Sequence, residues 1–144
     1  MTTAFELSVR IADWEVDGAA LRAIREAVFV REQQVPVELE WDGLDAECMH
    51  VLAEAAGKPI GTGRLLRDGR IGRMAVLAEW RGRGVGRMLL EFLVESARQR
   101  GHAAVVLHAQ VRAIPFYVRC GFRPVGEEFM DAGIAHRTMI LHLA

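Results

Sequence analysis

Residues 74–101 read MAVLAEWRGRGVGRMLLEFLVESARQRG. A short apolar strand ends in a glycine-rich turn, and the turn opens directly into a helix. Val85, Met88, Leu89, Phe92, Leu93 and Ala97 recur at helical spacing as one apolar stripe, with Arg87, Glu91, Glu95 and Arg98 outside it. Gly101 stands where a C-terminal cap belongs. The first N–H groups of such a helix lack partners and carry the positive end of its dipole. Gly82, Gly84 and Gly86 remove Cβ atoms that would hold an anion off the backbone, while Arg81, Arg83 and Arg87 add charge around the same point. The stretch predicts an anion site, best matched to a pyrophosphate. The plain alternative is a turn whose glycines serve only tight strand-to-helix geometry. A P-loop would need a lysine that is absent here, and a Rossmann fingerprint would need Gly-x-Gly-x-x-Gly early in a βαβ unit.

On the N-terminal side, residues 6–12 (ELSVRIA) alternate as a strand. An amphipathic helix is predicted over residues 19–30, with Leu21, Ile24, Val28 and Phe29 on one face. Residues 33–47 are less regular and fit a short second helix or a functional loop. Residues 49–55 and 60–67 read as strands, Asp68-Gly69 as a hairpin turn, and residues 70–77 as the antiparallel partner. Beyond the central helix, residues 103–107 (AAVVL) form a continuous apolar run, the pattern of a strand buried on both faces. A short helix over residues 112–120, with Pro115 in its first turn, precedes strands near 123–127 and 137–142. This order predicts an α+β fold: a mixed central sheet of six to seven strands with helices on both faces. No linker divides residues 1–144, so one domain is expected.

The chain has 144 residues, 51% of them hydrophobic, and a formal net charge of −1, the balance of a globular protein. Without a basic excess, a sequence-independent nucleic-acid binder is not expected. No apolar run approaches the ~20 residues of a membrane span. The opening residues carry no basic-then-apolar leader, so a cytoplasmic location is expected, with no membrane partner. Cys48 and Cys120 form no CxxC pair, and no metal site is predicted. Arginine supplies 17 of the 18 basic residues, leaving Lys58 as the one lysine, and Tyr117 is the one tyrosine.

Arg81-x-x-Gly84-x-Gly86 resembles the Arg/Gln-x-x-Gly-x-Gly/Ala signature of the GNAT superfamily of N-acetyltransferases. Downstream, Gln110-Val-Arg-Ala113-Ile-Pro-Phe116-Tyr117, followed by Gly121-Phe122, resembles that family's Asn-x-x-Ala-x-x-Phe-Tyr…Gly-Phe segment. The stretches IREAVFVREQQVP, ELEWDGLD and EEFMDAGIAH are similar to a small bacterial subgroup, the ElaA/YjcF-like proteins. The resemblance covers nearly the whole chain. It implies that acetyl-CoA, the acyl donor, binds in a cleft where two central strands splay. The strand at Met74, Ala75 and Val76 would pair through its backbone with the pantetheine arm. Backbone N–H groups from Arg81 through Gly82, Arg83, Gly84, Val85 and Gly86 to Arg87 would take the pyrophosphate. Gln110 stands where the family often has Asn, with one methylene more.

Acetyl transfer from a thioester to a primary amine requires the amine to lose a proton, the carbonyl oxygen to be stabilised, and the thiolate to leave. A backbone N–H near Val76 can hold the oxyanion. Tyr117 occupies the family's general-acid position and would protonate the thiolate; on its residues alone it could equally pack as a core aromatic beside Phe116. For the base or the acceptor side, Arg25, Glu32, Asp42, Asp45, His50 and His136 are candidates, as is an ordered water. Arg25, Phe29, Glu40, Asp42 and Asp45 are also similar to a pattern in acyl-homoserine-lactone synthases, which would change donor and product. A different class is a non-catalytic acyl-CoA-binding sensor. The expected partner is a small-molecule or short-peptide amine, and edge strands or the C-terminal hairpin could support a homodimer.

Overall fold

The computed structural model describes residues 6–143. The reading of the first five residues as lacking a leader lies outside them. Seven strands form one mixed sheet: β1 (Leu7–Ala12), β2 (Met49–Ala55), β3 (Lys58–Leu65), β4 (Arg70–Val76), β5 (Ala104–Gln110), β6 (Arg123–Asp131) and β7 (Ile134–His142). Their order is β1-β2-β3-β4-β5-β7-β6, and every neighbouring pair is antiparallel except β4 with β5. The Asp68-Gly69 turn closes β3 on β4 as expected, with Gly69 at φ +93° and the Leu66 N–H donating to Arg70 C=O at 2.8 Å.

Successive residues of β2 show how the sheet is covered. Val51 and Ala53 point to the core that α3 (Val85–Gln99) fills with Val85, Leu89, Leu90, Leu93 and Ala97. Leu52, between them, points to the opposite core, filled by Leu21 and Ile24 of α1 (Gly18–Arg25) and Val28 beyond it. Side chains alternate across a strand, so the two helices lie on opposite faces. Gly63 admits α3 to the sheet, since a Cβ there would stand 2.9 Å from Leu93 Cδ1. Some expectations change. The run at residues 103–107 alternates in burial, with Val105 and Leu107 inside and Val106 half-buried, because β5 packs fully on one face only. The first helix departs from α geometry: Glu26–Glu32 continues α1 as a π-helix. Further on, the irregular segment holds α2 (Val37–Glu40) and a 3-10 turn (Asp45–Glu47).

The strand β4 carries one residue too many. Thr62 pairs with Ala75 and Arg64 with Gly72, so Arg73 and Met74 oppose Gly63 alone. Arg73 adopts φ +51° to make this bulge. On its other edge β4 pairs with β5 only at Arg70–Val106 and Ile71–Leu107, after which the strands part.

A buried ion network fastens this region to the segment between α1 and β2. Arg25, 1% exposed, donates from Nε to Glu40 (2.7 Å) and from Nη1 to Asp45 (2.6 Å). Arg64 donates to Asp45 (2.9 Å) and to both oxygens of Asp42. Arg73 reaches Asp42 and the Leu39 and Glu40 carbonyls, each at 3.2–3.3 Å. The Trp14 and Trp41 rings lie against Arg25 at 5.7 and 4.9 Å. The Arg64 guanidinium holds Asp42 well below the ordinary carboxylate range. Burial pulls Asp45 up, but its bonds to Arg25 and Arg64 together leave it below its ordinary value. For Glu40 burial outweighs the arginines and the carboxyl is raised.

Removing one member of a buried ion pair strands its partner's charge. Arg25→Ala should therefore cost about 3–5 kcal/mol, measured as a fall in the denaturant midpoint. His50, 2% exposed and stacked on Trp14 at 4.9 Å, donates from Nε2 to Asp45 C=O at 2.8 Å. Burial pushes its imidazole below the ordinary value. The unfolded chain then takes up a proton near pH 6.5 that the folded chain refuses, so stability should begin to fall as pH drops below about 6.5. That limb should be absent from His50→Gln, while the loss tied to Asp42 and Asp45, which sets in as pH falls below about 3.9, should remain.

Candidate active site

Where β4 and β5 part, a cleft of about 790 Å³ opens. Leu77 N–H bonds to Ile60 C=O at 2.9 Å, so the main chain of Leu77 and Ala75 faces β3. Alternation turns the main-chain groups of Met74 and Val76 to the free edge. Val76 C=O accepts from Arg81 Nε at 3.0 Å, and its N–H is left facing the cleft.

At the mouth, Gly82 and Gly84 hold the left-handed backbone, φ +75° and +83°, that an L side chain would strain. Gly84 caps α3 without a side-chain bond. The first main-chain bond of the helix is Met88 N–H to Gly84 C=O at 3.1 Å, which leaves the Val85, Gly86 and Arg87 N–H groups without one among the described residues. They border a second cavity of about 360 Å³ that shares Val76, Arg81, Gly86 and Phe116 with the first. Unpaired N–H groups at a helix N-terminus suit phosphate oxygens, so the cradle fits a pyrophosphate.

The loop arginines do not converge on that point. Arg81 is held by Glu32 through two bonds of 2.6 and 2.8 Å, and its own N–H closes a turn on Ala78 C=O. Arg83 lies over Trp80 at 5.0 Å, and Arg87 pairs with Glu91 at 2.8 Å. The Arg87–Glu91 pair follows from its i,i+4 spacing, whereas Glu32 lies 49 positions from Arg81, beyond any local pattern. The cradle is therefore one of main-chain donors.

Tyr117 sits on α4 (Ile114–Arg119), which has Pro115 in its first turn and ends as Phe122 N–H returns to Tyr117 C=O at 3.0 Å. Its ring meets Phe116 and Phe122 edge-on, at 5.0 and 6.0 Å between centroids. It lines the cleft, and its hydroxyl has no partner among the described residues. Burial raises the phenol to about 12, so it stays protonated at neutral pH. His136, opposite Gln110 in the β5–β7 register, donates from Nδ1 to Ile134 C=O at 2.7 Å. A carbonyl only accepts, so this bond places a proton on Nδ1, and Nε2 has no hydrogen-bond partner among the described residues. Phe129 stacks on the imidazole at 5.9 Å.

Of the candidates for the acceptor side, Glu32, Asp42 and His136 line the cleft. Arg25, Asp45 and His50 do not; the ion network holds all three inside the protein. Met74, Ala75, Val76, Arg81, Gly86, Gln110 and Tyr117 line the large cleft, and Gly82, Gly84, Val85 and Arg87 the smaller cavity. Sequence reasoning missed Gln33, Leu39, Arg73 and Arg112, all in the cleft wall. The residues that oppose Arg73 and Gln33 lie 31 and 77 positions away, beyond the reach of any local pattern.

The sequence profile of the acetyltransferase (GNAT) domain matches residues 18–143. The chain belongs to the GNAT acetyltransferases. It is similar to the Uncharacterized N-acetyltransferase YjcF of Bacillus subtilis, 41% identical over 81% of this chain and 86% of the relative. The crystal structure of Escherichia coli ElaA superposes with a TM-score of 0.81 at 29% identity, covering 95% of this chain and 99% of the other. An acyl-CoA N-acyltransferase from Pseudomonas aeruginosa gives 0.81 at 30% identity, with the same coverage. Within the GNAT acetyltransferases the chain falls in the ElaA/YjcF-like group, and the family supports an acyl-transfer role. Its mixed seven-stranded sheet with helices on both faces is the GNAT fold.

A Cβ on Gly86 would meet Phe116 Cζ at 3.6 Å and Val76 Cγ2 at 4.0 Å, contacts the fold tolerates. It would also narrow the passage from the helix N-terminus to the cleft. Gly86→Ala should weaken coenzyme A binding by about tenfold or more in calorimetry, with the melting midpoint nearly unchanged.

Proposed function

We propose that this GNAT protein transfers an acetyl group from acetyl-CoA to a primary amine on a small molecule or short peptide, by direct attack with donor and acceptor bound together. The observation that carries the reading is the parting of β4 from β5. It leaves a free strand edge at Met74 and Val76 in the same cleft as the Tyr117 hydroxyl and His136 Nε2, neither of which has a hydrogen-bond partner among the described residues.

When bound, the donor supplies a thioester whose carbonyl is open to nucleophiles. The N–H groups of Gly82–Arg87 would hold its pyrophosphate, and the free edge of β4 at Met74 its pantetheine arm. Val76 N–H would stabilise negative charge developing on the carbonyl oxygen, a contribution that is large when the donor is fixed beforehand. His136 Nε2 would take the proton from the acceptor ammonium, freeing the lone pair that attacks. Tyr117, its proton held by burial, would return one to the departing sulfur. Glu32 is a poorer base, since the Arg81 guanidinium holds its carboxyl below the ordinary range. A non-catalytic acyl-CoA sensor would need the cradle and strand edge but neither the Tyr117 hydroxyl nor the His136 lone pair.

Thiol release from acetyl-CoA against a panel of amines tests the reading. Tyr117→Phe should lower kcat by about 100-fold and leave the donor KM near wild type. His136→Gln should likewise lower kcat by about 100-fold with the donor KM near wild type. Tight acetyl-CoA binding with no turnover on any amine would replace transfer by the sensor function.

A further inference from the structure

Glu32 and Gln33 are adjacent in sequence and reach opposite lips of the cleft. Glu32 receives the two bonds from Arg81, which follows β4. Gln33 Oε1 accepts from Gln110 Nε2, at the end of β5, at 2.9 Å. Gln110 Oε1 in turn accepts from Arg112 Nε at 3.1 Å. Hydrogen bonds thus run from Arg81 through two consecutive residues to Arg112, across the place where the sheet is split. Glu32 is the last residue of the π-helix and Gln33 is its C-cap. Gln34 follows at φ +58° and leads the chain away, with Val35 N–H returning to Phe29 C=O at 2.9 Å. The methylene that distinguishes Gln110 from Asn extends its amide toward Gln33.

We infer that Glu32 and Gln33 form a strap that roofs the thioester end of the cleft on the α1 face, with Gln33 the positioning residue. This rests on the transfer reading above. The strap shields the acyl group from water and leaves the acceptor an approach between α2 and the β6–β7 turn. On that side Leu39 is 53% exposed and Asp131 and Ala132 line the cleft. Enclosure matters because water competes with the amine for the acyl carbon.

The test uses the full chain, acetyl-CoA as the probe and water as the acceptor, so it needs no identified amine. Gln33→Ala, Gln110→Ala and the double variant are compared for thiol release without amine and for hydrogen exchange of residues 26–33. One lost hydrogen bond, at about 1 kcal/mol, corresponds to about a fivefold change. Each single variant should raise the hydrolytic leak by about that factor, and the double variant should leak no more than either single. Coenzyme A affinity of Gln33→Ala should stay near wild type. Gln110→Ala should also speed exchange in residues 26–33, although the substitution lies in β5. Unchanged exchange there would overturn the strap, and so would leaks that multiply in the double variant. If wild-type protein binds no coenzyme A, the transfer reading and the roofing role both fall, while exchange still shows whether the bridge forms. If exchange responds but the leak does not, the bridge is structural and its roofing role is overturned.

Discussion

One extra residue in β4 governs the molecule. Arg73 and Met74 together oppose Gly63, and two residues N-terminal to this bulge the pairing with β5 has already ended. A regular strand would pair along its length and close the sheet. The bulge re-aims β4 and leaves its final main-chain groups unpaired. Arg73 sits in a backbone region that L residues avoid, and its guanidinium is tied to the Leu39 and Glu40 carbonyls and to Asp42. Those ties run on through Arg64 and Asp45 to Arg25. The buried ions thus brace a distorted strand, and the distortion makes the cleft.

Much of the fold was legible because it rests on local signals. The stripe from Val85 to Ala97, the Asp68-Gly69 turn and the Gly82–Gly86 loop each specify their geometry within a few residues. The π-helix was not legible, because Leu21, Ile24, Val28 and Phe29 satisfy a helical pattern whether the chain closes over four residues or five. The strand after α4 runs to Asp131, beyond the expected 127, because its register slips between Val125 and Phe129 and then resumes. Gly126 takes φ +75° there, and its carbonyl is held by Arg137 Nε at 2.8 Å.

For the site, residue type was informative and direction was not. The segment from Glu40 to Asp45 shows a cluster of acids, yet sequence does not say that Asp45 turns inward to Arg25 while Asp42 reaches the cleft. Likewise His50 and His136 look alike until their carbonyl partners are known. His50 uses Nε2 in the interior, whereas His136 uses Nδ1 and keeps Nε2 available. Arg81 is part of the motif that signals the family, but its side chain serves Glu32 and Val76.

The ion network has a chemical corollary. Arg64 and Arg73 form part of the cleft wall, and Arg81 stands at its mouth. On the proposed transfer, a lysine at any of these positions would set a primary amine in the wall of the cleft that takes the acyl donor. Guanidinium stays protonated at neutral pH and offers no free lone pair for attack on an acyl group. A wall built from arginine therefore carries positive charge without becoming a rival nucleophile. The chain's one lysine, Lys58, is exposed at the β2–β3 turn and belongs to neither cavity.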